Sequence, residues 1–78
     1  MNSKDAQEMN LALQKSTVEA ANLYCRVLEL QMKAISEGAS PERTRGPMGK
    51  AVGIASEGLV RELELLHSLR SGLTEGEE

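Results

Sequence analysis

Residues 4–37 read KDAQEMNLALQKSTVEAANLYCRVLELQMKAISE. No Pro or Gly interrupts them, and apolar residues recur every three and four positions, the period of a helix face. Leu11, Val18, Cys25 and Met32 share one heptad position, and Ala21, Leu28 and Ile35 share the position three further on. Together they form a stripe with coiled-coil spacing. A second stripe runs through Met9, Leu13, Ala20, Leu23, Val27, Leu30 and Ala34, roughly 200° away around a helix of 3.6 residues per turn. A helix that is apolar on nearly opposite sides must be covered twice. One short segment of the same chain covers one side and leaves the other to a second copy or a different protein.

The boundaries of this helix follow from its ends. Asn2 or Ser3 caps it, and Asp5 and Glu8 lie near its positive end, where negative charge is favoured. Lys33 sits in the last turns, and Gly38 is placed as the left-handed residue that stops it. Glu8, Lys15, Glu19, Arg26, Glu29 and Lys33 gather on one side, read as the solvated face.

Residues 38–46 are the break. Ser40-Pro41-Glu42 reads as a cap followed by proline at the first helical position, so a short helical turn starts there. Gly46-Pro47 ends or bends it, because proline pushes the preceding residue out of the α region. A second helix is expected over 47–71, closed by Gly72, with 72–78 an acidic, flexible tail. Its main stripe is Met48, Val52, Ala55, Leu59, Leu63, Leu66, Leu69 and Leu73; Glu62 interrupts the strict heptad and Leu63 fills the neighbouring position. Gly49, Gly53 and Ser56 make a small-residue ridge, suited either to close helix approach or to a kinked first turn. On these bounds the first helix is longer by roughly 14 Å, which predicts an unpaired end around Met9 to Leu13.

Composition points the same way. The chain has 78 residues, no Phe, no Trp and one Tyr, so the large buried areas that aromatics supply are missing. A single domain this small buries only about 60% of its unfolded surface. One Cys forbids an internal disulfide, and one Cys with one His builds no metal cluster. Oligomerisation or docking on a partner is the remaining remedy. The net charge of −3, with signs mixed along the chain, argues against nucleic acid as a general partner. No apolar run approaches the roughly 20 residues of a bilayer span, and the polar N-terminus is not a secretory signal. A cytoplasmic location is expected, with Cys25 reduced.

Four sets of residues were weighed as sites. Cys25 reads as a small hydrophobe in its seam. His67 lies near the end of the second helix with no ligand partner at metal spacing. Gly46-Pro47-Met48-Gly49-Lys50-Ala51 imitates the end of a phosphate-binding loop, but Thr44 stands where that motif needs glycine and Ala51 where it needs Ser or Thr. Arg43, Arg45 and Lys50 make the break basic in an acidic chain, a candidate docking patch for anionic groups against the plainer reading of a solvated loop.

The expected fold is therefore all-α: an antiparallel helical hairpin over 1–78 that forms a dimeric four-helix bundle. Which seam faces the second helix is left open by the sequence. The expected function is non-enzymatic binding of a protein target, as an adaptor, inhibitor, anti-activator or chaperone, with no cofactor. Met9, Leu13, Leu23, Tyr24, Val27 and Leu30 are the candidate partner-binding residues; Tyr24, the lone aromatic, serves equally as core. No set of acid, base and nucleophile converges as an enzyme needs. A nucleic-acid-binding hairpin is the contrasting class. It needs a basic stripe, and Lys15, Arg26 and Lys33 are interleaved with Glu19 and Glu29.

In size, in two helices joined by a turn containing Gly38-Ala39-Ser40-Pro41-Glu42, and in a Leu-rich second helix, the chain resembles the helical-hairpin co-chaperones that guard needle subunits of type III secretion systems. The resemblance covers most of the chain through general features; Gly46-Pro47 and the helix glycines depart from it. It implies a chaperone-like role and carries over no functional residue.

Overall fold

The structure, a computed structural model, describes residues 3–76, with side-chain surroundings for 3–72. It is all-α: helix α1 spans Ser3–Ser36, α2 Pro41–Arg45 and α3 Pro47–Gly76, and no strand occurs among the described residues. The first helix falls within one residue of its expected bounds. The break contains the short helix that Ser40-Pro41 signals. The second long helix continues past Gly72 to Gly76, so the expected tail has helical backbone that far. Asn2, Glu77 and Glu78 lie outside the described residues.

Each helix end has a local cause. Gly38 adopts φ +87°, which L side chains tolerate poorly. Around it Gly38 N donates to Ile35 O at 3.1 Å and Ala39 N to Ala34 O at 3.0 Å, the paired bonds of a Schellman motif. Ser40 then caps α2, its hydroxyl accepting from Arg43 N at 3.3 Å. Gly46 joins α2 to α3: its N–H donates to Glu42 O and its carbonyl accepts from Lys50 N, both at 2.9 Å. Pro47, lacking an N–H, sits at the first position of α3 where none is needed.

The turn is tied back to α1. Gln31 Nε2 donates to the backbone carbonyl of Thr44 at 2.8 Å. Thr44 is only 4% exposed, and its hydroxyl donates to the carbonyls of Ser40 and Pro41. Beyond this short connection, α1 and α3 pack against each other. The molecule is 56 Å long, against roughly 96 Å if the helices stood end to end.

The residues of α1 that lose exposure identify its inward face. Ala6, Leu13, Ala20, Val27 and Ala34 form one heptad row, and Asn10, Thr17, Tyr24 and Gln31 the other; all are buried or half-buried. On α3 the matching rows are Met48, Ala55, Glu62 and Leu69 with Val52, Leu59 and Leu66. The alanines let the backbones approach. The polar members are satisfied locally, Thr17 Oγ1 by Leu13 O at 2.7 Å and Asn10 Oδ1 by Gln14 Nε2 at 3.4 Å.

Two expectations change here. With α3 reaching Gly76, α1 exceeds it by only about 6 Å, and Ala6 near the start of α1 is buried. The end of α1 is therefore not left unpaired over Met9 to Leu13. The strict heptad of α3 also passes through Glu62, which is half-buried, while Leu63 is 49% exposed. A partly desolvated carboxylate in an apolar row is unfavourable. Glu62→Leu is expected to stabilise the fold by about 1 kcal/mol, raising Tm by about 4–8 °C. A thermal melt with Tm unchanged or lowered would place Glu62 outside the seam.

Candidate protein-interaction surface

Very little of this chain is fully enclosed. Among the described residues the buried apolar side chains are Ala6, Ala55 and Leu66, and no large side chain falls below 2% exposure. The accessible surface is 5990 Å², whereas a compact chain of 8.4 kDa exposes about 4600 Å². Part of the difference is the elongated shape; the rest is unfilled apolar surface. Met9, Leu11, Val18, Leu23, Leu30, Met32 and Ile35 on α1 and Ile54, Val60, Leu63 and Leu65 on α3 are all exposed.

These residues sort onto two faces of a two-helix layer. Along α1, Met9, Leu23 and Leu30 flank the inward seam on one side, with Ser16 completing the row. On that side an open groove of about 480 Å³ is lined by Ala20, Leu23 and Val27 from α1 and Ala51, Ile54, Ala55, Gly58 and Glu62 from α3. Charges border it: Glu19, Arg26 and Lys33 share the next helical row on α1. On the opposite side α1 presents Ala21, Leu28 and Ile35, then Leu11, Val18, Cys25 and Met32 beyond them. Helical periodicity puts Leu63 and Val60 of α3 on this same side, with Ser56, Gly49 and Gly53 continuing their rows.

The candidate partner-binding residues therefore divide. Leu13, Tyr24 and Val27 are half-buried against α3, and Met9, Leu23 and Leu30 stay exposed on the grooved side. The inward seam takes Leu13, Ala20, Val27 and Ala34 from the second stripe. Of the first stripe, Ala21 and Leu28 are half-buried at the edge of the seam, while Leu11, Val18, Met32 and Ile35 are exposed; Cys25 is exposed as well, and packing inside one chain does not cover this thiol. The companion row of the inward face, Asn10, Thr17, Tyr24 and Gln31, is not legible in the sequence because three of its four members are polar. Beside it, alanine recurs every fourteen residues, at Ala6, Ala20 and Ala34, between Leu13 and Val27.

The polar candidates stay dispersed. Arg43, Arg45 and Lys50 are exposed, and Arg43 borders a shallow depression with Glu37, Gly38, Ala39 and Met48. A carboxylate within that depression weakens its claim on an anion. Arg26 pairs with Glu29 at 3.7 Å and Lys33 with Glu37 at 3.9 Å; both pairs are well exposed and contribute little. His67 Nε2 lies 3.5 Å from Ser71 Oγ, an exposed i,i+4 pair on α3. Among the described residues no group of His, Cys, Asp and Glu is disposed to hold a metal, and no helix is long and apolar enough to cross a membrane. No family model, curated protein or solved structure matches the chain.

Proposed function

We propose that this chain is a non-enzymatic protein-binding module, an antiparallel helical hairpin whose two apolar faces are completed by helices of other chains. The observation that carries the reading is the exposure of large apolar side chains along both faces. Water-facing apolar surface of this extent on a small chain marks an interaction surface. Helix-on-helix docking is the matching mode, because the exposed residues keep the seven-residue spacing of coiled-coil packing. A four-helix bundle formed by two hairpins completes this architecture. The roles that fit are adaptor, inhibitor or chaperone in the cytoplasm. The nucleic-acid alternative draws no support from Arg26 and Lys33, which are already paired with carboxylates.

Two double variants test this. Leu23→Glu with Leu30→Glu charges the grooved face; Val18→Glu with Met32→Glu charges the other. At least one is expected to abolish association, with itself or with a protein co-purified from the native host, while far-UV circular dichroism retains the helical signal. Both variants keeping every association of the unmodified chain would overturn the reading.

A further inference from the structure

The two faces are not equivalent, and one of them is self-complementary. We propose that a second copy of this chain covers the face bearing Leu11, Val18, Cys25 and Met32, with α1 packed antiparallel on α1 of the copy about a two-fold axis level with Asn22 and Leu23. This deepens the protein-binding reading and rests on it, by naming the occupant of one face.

The pattern of apolar residues supplies the first argument. A two-fold interface must pair a surface with itself. Running this stripe of α1, exposed at Leu11, Val18, Met32 and Ile35 and half-buried at Ala21 and Leu28, against its own reversed image sets Leu11 opposite Ile35 of the second copy, Val18 opposite Leu28 and Ala21 opposite Cys25. In each pair both members are apolar, and each joins one heptad row to the other, as antiparallel seams do. Gln14 opposite Met32 is the one polar exception.

Charge supplies the second. The row bordering this stripe on its solvent side reads Glu8, Lys15, Asn22, Glu29. In the same register Lys15 lies beside Glu29 of the second copy and Glu29 beside its Lys15, with Asn22 near the axis. A parallel pairing brings this row against Asn10, Thr17, Tyr24 and Gln31, which offer no opposite charge.

The third argument is on α3. Each glycine inside a helix costs roughly 1 kcal/mol relative to alanine, yet a Cβ at Gly53 would meet nothing within 4 Å in the chain itself. Close packing within one chain therefore does not account for Gly53. The two-fold axis that fits α1 also lays α3 antiparallel on α3 of the copy. It carries the exposed Leu63 toward Gly53, where the missing side chain leaves room.

Area is consistent with such a pair. Two separate chains expose twice 5990 Å², while a compact particle of the doubled mass exposes about 7700 Å². The difference, about 4300 Å² at most, falls in the range of obligate homodimers.

Light scattering of the purified full chain is expected to give twice 8.4 kDa. Val18→Glu buries a charge at the seam and is expected to weaken the dimer at least about 100-fold, whereas Leu23→Glu on the grooved face leaves it intact. Lys15→Glu is expected to weaken it roughly fivefold at low salt, and adding Glu29→Lys restores it. The charge swap keeps the test decisive if Val18→Glu unfolds the chain. A monomer at micromolar concentration overturns the proposal, as does a dimer broken by Leu23→Glu, or one weakened by Lys15→Glu and not rescued by Glu29→Lys. A monomeric chain that still binds a different protein defeats this inference alone and leaves the module reading standing.

Discussion

Leu66→Ala is expected to remove a large share of the folding stability, about 2–5 kcal/mol. Leu66 is 9% exposed and is the largest buried side chain among the described residues. Its truncation removes apolar contacts and leaves a hole between two helices whose other buried apolar side chains are alanines. Leu→Ala changes at such sites cost about 2–5 kcal/mol. Small domains hold only about 5–15 kcal/mol in total, and one with so little enclosed surface lies at the low end. Chemical denaturation followed by circular dichroism reads this directly. A loss below about 1 kcal/mol would mean that Leu66 does not anchor the contact between α1 and α3.

The second large effect is expected at the junction of α2 and α3. A Cβ at Gly46 would stand 2.6 Å from the backbone oxygen of Glu42. Backbone atoms cannot rotate away as a flexible side chain can, so Gly46→Ala must displace the turn. That turn holds three linked bonds: Gly46 N to Glu42 O, Lys50 N to Gly46 O, and Gln31 Nε2 to Thr44 O. Displacing it loosens the Gln31–Thr44 tie between α2 and α1. The expected cost is about 1–3 kcal/mol, with early hydrogen exchange at the start of α3. Ala tolerated at 46 with unchanged stability and exchange would show that the junction does not set the direction of α3.

Both effects pass through the inward seam, the part of this chain hardest to read in its sequence. Residues such as Gly38 and Ser40-Pro41 announce their conformations locally: a positive φ needs glycine, and a cap followed by proline starts a helix. Leu63 misled for the opposite reason. It is more apolar than Glu62, which points to it as the seam residue, yet the strict heptad, followed by the burial, runs through Glu62. Hydrophobicity identifies a seam only when one face of a helix is apolar. The extension of α3 beyond Gly72 was hidden similarly, since a lone glycine disfavours helix without forbidding it.

By itself, then, the sequence determined the two long helices, the break between them and a surplus of apolar surface. Each depends on local backbone chemistry or on counting residues of one type along a helix. Only the tertiary structure decided which stripe turns inward. The choice fell on the α1 row with Ala6, Ala20 and Ala34 and the α3 row with Ala55, because small side chains let the helices approach and Gln31 holds the connection at Thr44. That face is the less hydrophobic option, and its selection leaves Leu11, Val18, Met32 and Ile35 facing water.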